Sequence, residues 1–69
     1  MNQQDAFEIT IKSESTIGDV KEIMENIEEL GGIIVEQIPE LNTMEVRLPR
    51  GKINDLNCSH IQNLQYVDE

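Results

Sequence analysis

The feature that most constrains this chain is a change of hydrophobic period at one glycine pair, Gly31-Gly32. Before the pair, Ile17, Val20, Ile23, Met24, Ile27 and Leu30 recur at helical spacing. After it, Ile33-Ile34-Val35-Glu36-Gln37-Ile38 is rich in β-branched residues and stops at Pro39, as a strand does. A glycine can take the left-handed conformation that ends a helix without a Cβ clash, so the pair predicts a helix C-cap. Thr16 followed three residues later by Asp19 predicts the other end, a capping box with Asp in place of the usual Glu.

Upstream, Phe7, Ile9 and Ile11 alternate with Glu8, Thr10 and Lys12, the period-2 pattern of a strand with one buried face. Downstream, Met44, Val46 and Leu48 alternate with Glu45 and Arg47 before Pro49, giving a third strand after a turn over Pro39-Glu40-Leu41-Asn42. A short helix is expected from about Lys52 to Asn57, with Ile53 and Leu56 facing inward and Ile61 a candidate extension. Leu64 to Val67 reads as a last short strand. The order β-α-β-β-α-β predicts an α+β, ferredoxin-like domain over residues 1–69. Its four-stranded antiparallel sheet would carry both helices on one face and leave the other open.

At 69 residues, folding hides only about 60% of the surface of the unfolded chain. With one Phe, one Tyr and no Trp, the core must be aliphatic, and the stacking platforms of a single-strand nucleic-acid binder are missing. Five Lys plus Arg against fourteen Asp plus Glu give a net charge of -9, which disfavours nucleic acid and anionic membrane surfaces. That excess serves solubility or complementarity to a partner. Cys58 has no second cysteine to pair with inside the chain. Met1 to Thr10 holds no apolar stretch of signal-peptide length, so a cytoplasmic location is the default expectation, open to revision for a piece of a secreted precursor.

Candidates for catalysis are few. Cys58 and His60 form a C-x-H pair, but two ligands leave a tetrahedral zinc half-coordinated and Asp55 adds only an uncertain third. Gly31-Gly32 lacks the following Lys and the third glycine of a phosphate loop. Glu22, Glu25, Glu28 and Glu29 lie away from the Ile stripe and read as a solvated helix face. The expectation is a non-enzyme with no cofactor and no metal, acting by binding another protein.

The sequence resembles the propeptides of subtilisin-like serine proteases and the small free-standing inhibitors of such proteases. The resemblance is carried by Phe7-Glu8-Ile9-Thr10-Ile11-Lys12, by Leu30-Gly31-Gly32-Ile33-Ile34-Val35-Glu36, by Met44-Glu45-Val46-Arg47-Leu48-Pro49 and by Leu64-Gln65-Tyr66-Val67-Asp68-Glu69. It implies a ferredoxin-like sheet whose open face docks on two parallel surface helices of the protease, inhibiting the mature enzyme and assisting its folding. Protease-binding residues implied are Val35, Glu45, Arg47, Tyr66, Val67, Asp68 and Glu69. Asp68 matches an acidic residue that caps a protease helix in the family, a role suited to a carboxylate beside unsatisfied N–H groups. The match also places Ile34 and Ile38 inward on the second strand, leaving Ile33 and Val35 on the open face. Tyr66 and Val67 serve the interface, or one packs under a helix while the other covers an edge. Strong inhibitors of the family continue several residues beyond the acidic ending, whereas this sequence stops at Glu69, so docking is expected to outweigh substrate mimicry.

The competing expectation is a ferredoxin-like regulatory or homo-oligomerisation domain, with no protease target, that pairs its open face with a copy of itself. Metal chaperoning on this topology wants C-x-x-C near the first strand, and Lys12 to Gly18 has none. A monomer is expected when the chain is free.

Overall fold

A computed structural model describes residues 3–67. It is a small α+β structure: an open, four-stranded antiparallel sheet with one α-helix among the described residues. The strands are β1 (Gln4–Ile11), β2 (Ile33–Ile38), β3 (Thr43–Pro49) and β4 (Ile61–Val67), arranged β2-β3-β1-β4, with helix α1 (Ile17–Glu29) linking β1 to β2.

Helix α1 begins as its sequence predicts. The Thr16 hydroxyl accepts the Asp19 N–H at 3.1 Å, and the Asp19 carboxylate accepts the Thr16 N–H at 2.9 Å. Two N–H groups without intrahelical partners are thereby satisfied reciprocally. The far end closes in a Schellman pattern, the N–H of Gly31 reaching the Glu28 carbonyl and that of Gly32 the Ile27 carbonyl. Gly31 sits at φ +85°, where a Cβ is strained. Gly32 is required for a different reason: a Cβ there would lie 2.6 Å from the Arg47 carbonyl oxygen and from Leu48 Cδ2.

That close approach seats α1 on the sheet. Ile23 and Ile27 are buried against Phe7, Ile9 and Ile11 of β1 and Met44, Val46 and Leu48 of β3. Phe7, Ile9 and Ile11 lie on one face because side chains alternate along a strand. Ile17 is the exception on the predicted apolar stripe: it opens the first turn and is 89% exposed.

Three expectations are corrected. Residues 52–57 form no α-helix; Lys52–Asp55 is a single 3-10 turn. The segment is too short to offset helix nucleation. The Asn57 side-chain oxygen accepts the Ser59 N–H, which turns the chain back toward β1. Ile61, instead of extending a helix, begins β4, where it pairs with Ile11 and is buried. On β2 the register shifts between Ile34 and Glu36, inserting Val35 as a bulge. Ile34 pairs with buried Val46 on the helix side, but beyond the bulge Gln37 pairs with Met44 and Ile38 with Thr43. One extra residue exchanges the two faces, so Ile38 lies on the open face rather than inward.

Two stability outcomes are expected. Gly32→Ala should lower the unfolding free energy by about 1–3 kcal/mol, the usual range for overpacking, in urea denaturation. The Thr16 N–H, with a smaller contribution from His60 nearby, holds the Asp19 carboxyl below its ordinary pKa of 3.8. Its contribution to stability is then complete above that value and lost as pH falls through the lower, folded-state pKa. The stability difference between the native chain and Asp19→Asn should therefore persist above pH 3.8 and shrink below it in acid titrations of unfolding.

Candidate functional site

The sheet face turned away from α1 is built of three rows running across the strands. Register places Ile33, Arg47, Ala6 and Val67 in one row, and Glu36, Glu45, Glu8 and Gln65 in the next. Ile38, Thr43, Thr10 and Asn63 form the third. Val35, the bulged residue, has no partner in register and is 47% exposed. Ile33 is similarly exposed at 52%. The face thus carries half-exposed branched aliphatics at one edge and a line of carboxylates through its centre.

Three glutamates directly opposite one another run against cross-strand preference, since like charges there are destabilising. The Cβ atoms of directly opposite residues in antiparallel strands stand about 4.5–5.5 Å apart, inside the Debye length of about 8 Å at physiological salt. Arg47, one row away, is the basic residue of this face among the described residues. Such a row suits a partner that brings positive charge or helix N-termini, whose unsatisfied N–H groups and dipole attract carboxylates.

Of the residues singled out from sequence, Val35, Glu45, Arg47 and Val67 share or border this face. Tyr66 does not. It pairs with Phe7 and meets that ring edge-on, with centroids 5.6 Å apart at 85°, on the side that α1 covers elsewhere. With only a 3-10 turn between β3 and β4, Tyr66 remains 59% exposed. Asp68 and Glu69 lie outside the described residues. Glu8 and Glu36 complete the acidic row and were not singled out; Glu8 was legible from the alternation of β1, but Glu36 reaches this face only through the bulge.

The suggested C-x-H pair also resolves differently. Cys58 Sγ donates to the Leu56 carbonyl oxygen at 3.5 Å. His60 turns the other way, toward the first turns of α1, with Nε2 3.5 Å from Asp19 Oδ1 and 3.7 Å from Glu22 Oε2. No helix among the described residues is long and apolar enough to cross a membrane.

Compared with known proteins, the chain matches no family model, no curated protein and no solved structure.

The charge row has a measurable consequence in the isolated domain. Glu45→Gln removes the central charge of the row and should stabilise the fold, because like charges directly opposite one another are destabilising. The gain should shrink as salt is raised in denaturant titrations, because screening already weakens the repulsion.

Proposed function

We propose that this chain is a protein-binding module that docks on a subtilisin-like serine protease, as an inhibitor or a folding aid, through the sheet face opposite α1. The observation that carries the reading is the in-register row Glu36-Glu45-Glu8, flanked by half-exposed Ile33 and Val35 on the face turned away from α1. Real folds break a local rule at functional sites and compensate elsewhere. A line of opposed carboxylates weakens the free domain, and a partner presenting helix N-termini relieves it. The strand order β2-β3-β1-β4 with a helical first crossover supports a ferredoxin-like arrangement, its second crossover reduced to one 3-10 turn.

The same row bears on the competing reading of self-association through the open face. Two copies laid face to face would set two rows of carboxylates against each other, in a chain whose net charge is already -9. Like-charge juxtaposition across an interface suppresses that pairing. Electrostatics therefore favour a different partner over a second copy.

The test is a titration of the chain against several subtilisin-like proteases, with peptide hydrolysis and calorimetry as readouts. Val35→Lys and Glu45→Lys should each weaken binding at least tenfold while the domain stays folded. Glu25→Lys, on the exposed face of α1, should leave it unchanged. Equal affinity of both sheet variants, with loss in Glu25→Lys, would place the docking surface on the helix. Absence of binding to every protease tried would overturn the proposal.

A further inference from the structure

Asp19, Glu22 and His60 come from two distant parts of the chain yet converge on one point. Each offers one ligand atom, and the three atoms lie within 4.8 Å of one another. We propose that these side chains form a binding site for a divalent transition-metal ion of the Zn2+ class, on the opposite side of the molecule from the docking face.

The convergence has a structural cause. Asp19 and Glu22 stand three residues apart on α1, so they share one helix face. His60 is delivered by the return of the chain into β4, where its carbonyl accepts the Lys12 N–H at 3.0 Å. The Asn57 N–H donates to the Asn26 side-chain oxygen at 2.9 Å, tying that return loop to α1. Neither anchor uses a ligand atom: one is the His60 backbone carbonyl and the other the Asn57–Asn26 contact, and together they set the imidazole against the helix.

The geometry fits a small ion. Tetrahedral zinc holds nitrogen and oxygen donors at about 2.0–2.2 Å, which spaces neighbouring donors by about 3.3–3.6 Å. Here Nε2 is 3.5 Å from Asp19 Oδ1 and 3.7 Å from Glu22 Oε2, with all three donor atoms within 4.8 Å of one another, so closure requires the exposed Glu22 to swing inward. Asp19 is already oriented: one carboxylate oxygen accepts the Thr16 N–H of the capping box, leaving the other turned toward His60. A hydrogen bond of that kind fixes a metal-binding carboxylate from its outer side.

Donor chemistry selects the ion. One imidazole nitrogen with two carboxylate oxygens suits Zn2+ and its first-row neighbours, whereas Ca2+ and Mg2+ take oxygen ligands alone. Three protein ligands would leave a fourth position to water. Glu25 and Glu29 line a groove together with Glu22 and His60 and add negative potential that draws a cation in. Bound there, the ion would pin the start of α1 to the start of β4. This is a staple for a small domain whose single cysteine cannot form an intrachain disulfide.

Direct contact of His60 with the two carboxylates accounts for the same distances, and metal titration separates the two. Zn2+ is titrated calorimetrically into the chelator-treated full chain carrying no histidine tag. One ion per chain should bind and raise the thermal midpoint, because a ligand of the native state stabilises it. Glu22→Gln and His60→Gln, both at surface positions, should each weaken binding at least tenfold, and Cys58→Ser should leave it unchanged. Co2+ should give a visible spectrum without thiolate charge-transfer absorption. Equal Zn2+ affinity in His60→Gln, loss of binding in Cys58→Ser, or Ca2+ binding as tight as Zn2+ would each overturn the site.

Discussion

The architecture depends on the contact between the end of α1 and β3. At Gly32 the backbone comes so near the Arg47 carbonyl and the Leu48 side chain that only a residue without a Cβ fits. The Schellman hydrogen bonds of Gly31 and Gly32 turn the chain at that point, and the left-handed φ of Gly31 makes the turn possible. With the exit fixed there, β2 pairs with β3, and Ile23 and Ile27 drop onto the central strands. A core made only of aliphatic side chains and one Phe is held in close packing by this approach, and close-packed interiors respond to even one added methylene.

A second constraint acts on the opposite face. The bulge at Val35 places Glu36 opposite Glu45, which already faces Glu8. Bulges re-aim side chains and recur beside functional sites. Here one moves a carboxylate into line with two others and moves Ile38 out beside Thr43. Like charges directly opposite one another disfavour pairing, and that is the physical basis of the proposed docking face.

The connection from β3 to β4 shapes the rest of the surface. A single 3-10 turn leaves Tyr66 exposed beside Phe7 and brings His60 against α1. The helix-side surface therefore has two characters: a covered aliphatic core under α1, and an open margin along β4. Asp19 serves in both settings, closing the capping box with one carboxylate oxygen while the other faces His60.

Strand alternation in β1 and β3, the helix of Ile23 and Ile27, its capping box and its glycine terminus were all legible from the sequence. Each is a local pattern whose period or cap needs no distant partner. From the same patterns Glu45 and Arg47 could be assigned to the face away from the core. The fate of residues 52–57 was not legible, because apolar spacing at Ile53 and Leu56 suits a short helix as well as a turn, and only the return to β1 decides between them. Nor were the positions of Glu36 and Ile38, since a one-residue bulge is set by pairing with β3 and leaves no mark on composition. The meeting of Asp19, Glu22 and His60 also required the tertiary structure: the imidazole is about forty residues from the carboxylates, and only the return into β4 brings it to them. The sequence alone therefore determined the elements whose causes are local. Register, bulge and convergence came from long-range pairing, whose outcome depends on the whole sheet at once.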